Sequence, residues 1–92
     1  MKNWDHFEYR IAEHYLPAMV NGDYSGMTEG EIVDYREFER VAKGAALADG
    51  FTVGHWADVE GSGDDWGRCD VTGLLAMRCT VRLMVYKKVA PA

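Results

Sequence analysis

The side chains able to do chemistry fall into four sets. His6, Arg10 and His14 recur at four-residue intervals, which on a helix would give a small cationic face. Eight helical residues hold the two imidazoles about 12 Å apart along the axis, too far to ligate one ion, so this set reads as a solvent-facing side. Cys69 and Cys79 are the only cysteines, too few for a disulfide framework and without a second pair to complete a zinc site. A cysteine beside His55 is in principle a nucleophile, but both cysteines sit on the apolar side of strand patterns and read as buried structural thiols, with His55 also against the core. Glu29, Glu31, Asp34, Glu37 and Glu39 crowd one helical segment, and Asp64 and Asp65 tip a loop. Paired carboxylates do acid/base work when their surroundings separate their pKa values, and no apolar pocket or basic partner is implied here. The glycine-rich run at 61–67, GSGDDWG, places carboxylates where a phosphate would sit, so it is no phosphate loop. No catalytic constellation results: no cofactor and no metal are expected, and the chain reads as a non-enzyme.

The elements that must position these residues follow from periodicity. Trp4, Phe7, Ile11, Tyr15 and Met19 have three-to-four spacing and predict a helix from Asn3, its N-cap, to about Asn21, with a kink or restart at Pro17. Asn21-Gly22 closes it, and Asp23, Ser25 and Gly26 supply turn chemistry. Thr28-Glu29-Gly30-Glu31 reads as a capping box, with Met27 and Ile32 as a hydrophobic staple. The second helix runs to about Ala48 with Ile32, Tyr35, Phe38, Val41 or Ala42, and Ala45 inward. Glu39 and Lys43 stand at supporting spacing and Arg36 and Arg40 at repelling spacing. Asp49-Gly50 ends it.

Phe51 to Val59 alternates as a strand, with Phe51, Val53, His55, Ala57 and Val59 on one face and Thr52, Gly54, Trp56 and Asp58 on the other. Glu60 to Asp65 is expected to be the most mobile loop. Trp66 to Thr72 and Ala76 to Lys87 then make a hairpin around Gly73-Leu74-Leu75, which puts Cys69 opposite Cys79, and the tail from Val89 is expected to fray. The predicted fold is a single α+β domain, 1–92, in which two N-terminal helices pack on the Cys69/Cys79 face of a three-stranded antiparallel sheet, in the order ααβββ.

At 92 residues, with 48% hydrophobic and 27% charged residues, the composition is that of one globular domain. No apolar run approaches the roughly 18 residues of a membrane span, and the first ten residues lack a secretory pattern, so a cytoplasmic protein is expected. The net charge of −5 hides an asymmetry. Residues 1–67 hold 14 acids against 5 bases, giving −9, and residues 68–92 hold 1 acid against 5 bases, giving +4. The acidic part argues against direct binding of duplex DNA by phosphate neutralisation and for a partner with a basic surface; a simply solvated surface is the blander alternative.

Tyr15-Leu16-Pro17-Ala18-Met19-Val20-Asn21-Gly22-Asp23-Tyr24-Ser25-Gly26-Met27 resembles the YLPALINGDYSGL-type segment of small accessory proteins encoded by phages and other mobile elements. Gly67-Arg68-Cys69-Asp70-Val71-Thr72-Gly73-Leu74 resembles a second segment near the end of such proteins. In length and acidity the chain is similar to phage anti-CRISPR proteins that inhibit type I-F surveillance complexes. The resemblance implies a stoichiometric inhibitor in the host bacterial cytoplasm that covers the DNA-binding surface of a Cascade-type CRISPR effector. From charge, the contact residues expected are Glu29, Glu31, Asp34, Glu37, Asp64 and Asp65 toward basic protein subunits, with Arg68, Arg78 and Arg82 toward guide RNA or an acidic rim. A phage protein acting on another host DNA-binding protein or nuclease is the alternative, and a small enzyme using Cys69 or the acidic cluster is a third reading.

Overall fold

The computed structural model describes residues 4–87. Its longest strand, β4 (Leu75–Lys87), is flanked on both edges. β1 (Trp4–Ala12) pairs antiparallel with Arg78 to Tyr86, and β2 (Phe51–Asp58) with Val81 to Lys87. Both reach Leu83, so they occupy opposite edges of β4. The short β3 (Asp65–Arg68) pairs with Leu75 to Arg78. Because Arg78 also faces Ala12 of β1, β3 lies end to end with β2 along the same edge. Between β1 and β2 come a 3₁₀ turn (Glu13–Tyr15), α1 (Leu16–Asn21) and α2 (Glu29–Ala48). The fold is therefore α+β, with two helices and a four-stranded antiparallel sheet, in the order β-α-α-β-β-β where ααβββ with three strands was expected. No helix among the described residues is long and apolar enough to cross a membrane.

The first element corrects the sequence reading. Residues 4–12 form a strand, and helix begins only at Leu16. Phe7 and Ile11 share a face at either period, so their spacing does not decide between helix and strand. Tyr9 decides it: Phe7, Tyr9 and Ile11 point toward the core while Glu8 and Arg10 are exposed, a period of two. What favours strand is the long β4, whose far edge needs backbone partners. The restart expected at Pro17 is present, with proline in the first turn of α1, where its missing N–H costs nothing. Gly22 closes α1 in the left-handed region at φ 68°, as Asn21-Gly22 suggested. Asn3 as a cap, and the tail from Val89, lie outside the described residues.

α2 begins as expected. Thr28 Oγ1 accepts from the Glu31 amide at 3.2 Å and the Glu31 carboxylate accepts from the Thr28 amide at 2.9 Å, completing the capping box. Its buried face is Tyr35, Ala42 and Ala46, with Phe38 beside it; Val41 and Ala45 point to solvent. Arg36 lies over the Tyr24 ring and Arg40 pairs with Glu37, so the two cations at repelling spacing are separately accommodated.

The core lies between α2 and one sheet face, where Cys79, Val81, Leu83 and Val85 alternate inward along β4. Tyr9, Phe38 and Trp56 close it as a triangle of rings 5.1 to 5.9 Å apart, one from each of β1, α2 and β2. Trp56 reaches this triangle because β2 carries a bulge: Val53 faces Val85 and Trp56 faces Leu83, three residues against two. The extra residue inverts the expected parity, burying Trp56 and exposing His55, contrary to both assignments. Gly54 sits at the bulge, where a Cβ would fall 2.8 Å from the Met84 carbonyl oxygen.

The hairpin register also differs. Arg68 faces Leu75, and the Cys69 amide donates to the Leu74 carbonyl at 2.8 Å, leaving a four-residue tip closed by Gly73 at φ 75°. Cys79 therefore faces Ile11 of β1, not Cys69. Both thiols are free and buried, and Cys69 Sγ accepts from the Ala12 amide at 3.2 Å.

Candidate functional site

The residues selected from charge divide into groups that the fold keeps apart. Arg78 is only 19% exposed at its side chain and is held within the sheet: it donates to Asp65 at 2.6 Å and to the Arg68 carbonyl at 3.0 Å. Arg68 in turn donates to the Gly73 carbonyl at 2.8 Å, closing the hairpin tip. Arg82 donates to Glu8 of β1 at 2.8 and 2.9 Å on the sheet face away from the helices. Arg78 and Arg82 are thus paired with carboxylates inside the fold, Arg78 Nε being buried without a partner, whereas the exposed Arg68 gives one N–H to a carbonyl and has no carboxylate partner among the described residues. Glu37 is bound bidentately by Arg40 on the outer side of α2. Asp64 stands in the 60–65 loop at φ 61°, its amide donating to Glu13 at 2.8 Å, so the loop is tethered to the end of β1.

Glu29, Glu31 and Asp34 form the remaining group, at the start of α2. Glu31 and Asp34 line a cleft of about 270 Å³ with His14, Tyr15, Leu74 and Leu75. The fold builds it from three places distant in sequence: the 3₁₀ turn, the first turns of α2 and the tip of the β3–β4 hairpin. His14 Nε2 is hydrogen-bonded to Glu31. The Thr28 amide, and after it His14, hold the Glu31 carboxyl below the usual carboxylate range against the opposing effect of desolvation. Glu29 and Asp34 have no hydrogen bond or ion pair among the described residues. Tyr15 is 1% exposed, and its hydroxyl is buried without a hydrogen-bond partner. Burial, and then the neighbouring Glu31, Cys69 and Asp34, push that hydroxyl up to about 12. Leu74 and Leu75, 67% and 58% exposed, form the apolar rim. The sequence marked the two carboxylates; His14, Tyr15 and the leucines came from elements whose meeting no local pattern encodes.

A second polar cluster was also missed. Glu39, on the inner side of α2, accepts from the Tyr35 hydroxyl and from Trp56 Nε1 at 3.1 Å, with Lys43 at 3.5 Å. Burial disfavours its charge, but the hydrogen bonds from Tyr35 and Trp56 and the nearby Lys43 outweigh it, so the carboxyl titrates below the ordinary range. Burial and the bond to Glu39 raise Tyr35 well above a normal phenol. Every member is satisfied, so the cluster pins α2 to β2. The i, i+4 relation of Tyr35 to Glu39 was the available signal, obscured because Trp56 was assigned outward.

The cysteine chemistry has an opposing environment. Burial, then Asp58 and Glu13, push Cys79 up to about 11, the reverse of thiolate activation. His6, Arg10 and His14, expected along one helix side, lie on β1 and the 3₁₀ turn, and no group of three metal-ligating side chains forms among the described residues. No protein-family model, no curated protein and no solved structure matches the chain.

Proposed function

We propose that this protein is a stoichiometric protein-binding inhibitor, an anti-CRISPR that docks on a Cascade-type surveillance complex and blocks its binding of target DNA. One observation carries the reading: the distribution of unspent charge. Arg10, Arg40, Lys43, Arg78 and Arg82 are each within ion-pair distance of a carboxylate, and Arg36 and Arg68 are not, whereas Asp34 at an open cleft and Glu29 five residues before it have no cationic partner among the described residues. A surface so arranged complements the Lys- and Arg-lined grooves that hold nucleic acid. The resemblance of the segment at 15–27 to phage accessory proteins supplies the provenance, and the likeness in length and acidity to type I-F inhibitors supplies the class of target.

The decisive test is capture of purified type I-F effector on immobilised protein, followed by a gel-shift assay of effector with target DNA. Loss of the DNA shift at one inhibitor per complex is expected, and an unaltered shift at saturating protein rejects the proposal. Capture of a host nuclease or transcription factor in place of the effector would transfer the same surface to that target.

A further inference from the structure

Both helices pack on the sheet face that carries Val81, Leu83 and Val85, and no described helix covers the opposite face. Register puts Trp4 beside Tyr86 there, with Glu8 beside Arg82 and Arg10 beside Thr80 further along. Trp4 and Tyr86 are 45% and 42% exposed, two large rings turned to solvent side by side. The Tyr86 ring rests on the bulge of β2: a Cβ at Gly54 would fall 2.7 Å from its Cε2, so one side of the ring lies against bare backbone. Shielding a strand glycine accounts for that position, but not for an indole beside it. The charge on this face also departs from the rest of the chain. Its strands present Arg10, Arg78 and Arg82 against Glu8 and Asp65, a balance of +1 in a chain of −5, so the remainder carries −6.

We propose that this open sheet face binds single-stranded nucleic acid, with unpaired bases stacked on Trp4 and Tyr86 and the sugar-phosphate chain running along β4 towards Arg82 and Arg10. Ring faces accept any base and cations follow the backbone, the combination that single strands require. Tyr86 and Arg82 are four strand residues apart, about 13 Å, so a short oligonucleotide spans rings and cations together. A duplex keeps its base faces inside the stack and offers none to the rings, so the site selects unpaired strands. The ion pairs do not close it. Arg82 with Glu8 and Arg10 with Asp65 are exposed pairs, which hold weakly in water, and a phosphate offers each guanidinium a stronger partner. Arg78, bound to Asp65 and to the Arg68 carbonyl, adds field alone. The inference is independent of the inhibitor reading, and the acidic start of α2 has no part in it.

The test is fluorescence anisotropy of dye-labelled oligouridylate and oligothymidylate octamers titrated with the full chain at several salt concentrations, beside a labelled DNA duplex of similar length. Saturable binding of an octamer and none of the duplex are expected. A tighter ribo-octamer assigns the strand to RNA through its 2′-hydroxyl, and equal affinities assign it to single strands of either sugar. Trp4→Ala and Tyr86→Leu should each weaken binding by about fivefold or more, as loss of stacking on one base does, while Trp4→Phe and Tyr86→Phe keep most of it. Arg82→Gln should lower the slope of log K against log salt by about 0.7, one phosphate contact on a single strand. Glu8→Gln frees Arg82 and should tighten binding, an effect that a purely structural ion pair would not produce. Thermal melts establish that each variant is folded before it is titrated. Equal binding of the duplex, wild-type affinity in Trp4→Ala and Tyr86→Leu, weaker binding by Glu8→Gln, or no saturable binding of either octamer would each overturn the inference. So would self-association through this face in place of octamer binding, seen as a concentration-dependent mass in sedimentation that Tyr86→Leu abolishes. Octamer binding without inhibition of the effector rejects the inhibitor reading alone, and inhibition without octamer binding rejects the sheet-face site alone.

Discussion

At the scale of single residues, Glu39 shows how a charge can sit under a helix at a profit to the fold. It is held by Tyr35, Trp56 and Lys43, so truncation strands two donors against the core. We expect Glu39→Ala to cost about 2–3 kcal/mol in urea unfolding at neutral pH, more than an exposed Glu→Ala would. Its pH dependence has a definite sign. The folded carboxyl lies below its ordinary value of 4.5, so the stability it contributes is complete above that value and is lost as pH falls through the lower folded value. Melts at pH 7 and pH 3 should therefore converge in Glu39→Gln relative to wild type. Cys79 makes a second case. With its thiol pushed up to about 11, about a thousandth is thiolate at pH 8, and burial blocks access as well. Alkylation by iodoacetamide should be confined to the small unfolded fraction and follow its population, and fast labelling of Cys79 in the native protein would refute the structural assignment of this cysteine.

At the scale of elements, what the sequence made legible was whatever closes within one turn. The Thr28/Glu31 box, the Gly22 closure and the Asp49-Gly50 stop use partners within about four residues, and all are in place. Thr28→Ala should accordingly cost about 1 kcal/mol, read as a lowered Tm with unchanged helix content at low temperature. What was illegible depends on distant partners. Residues 4–12 satisfy a helical spacing and a strand alternation together, and the pairing that chooses strand joins Trp4 to Tyr86 across nearly the whole chain. The bulge at Gly54-His55 is likewise set by cross-strand register, and it decides which side of β2 is core. The acidic residues of the cleft were visible as residue types, but the hairpin tip that faces them was not, since the turn is longer than Gly73-Leu74-Leu75 alone suggested. The bulge itself is testable. Gly54→Ala places a methyl against the Met84 carbonyl and the Tyr86 ring, at 2.8 and 2.7 Å, and β4 backbone cannot yield without breaking its pairing with β1. A loss of about 1–3 kcal/mol is expected, and a neutral outcome would show that β2 can adopt another register.

At the scale of the whole molecule, the proposed inhibition turns on how charge is divided between internal and external use. Most arginines serve the sheet and α2, so the acidic excess of the first two-thirds is expressed outward. Such a field acts first on the rate of encounter. Raising the salt from 0.1 M to 1 M shortens the Debye length from about 10 Å to about 3 Å, so association with a basic partner should slow by about tenfold or more while dissociation changes less. Charge reversal separates the field from the cleft. Glu29→Lys reduces the field at the start of α2 without removing a residue that lines the cleft, and should lower the association rate and flatten its salt dependence. Asp34→Asn changes the net charge by one unit but removes the open carboxylate, and should chiefly speed dissociation. Surface-plasmon kinetics of both variants against the captured effector at three salt concentrations would resolve the two effects. Identical rate profiles for the two variants would mean that the carboxylates act only as a diffuse acidic surface, with no cleft in contact.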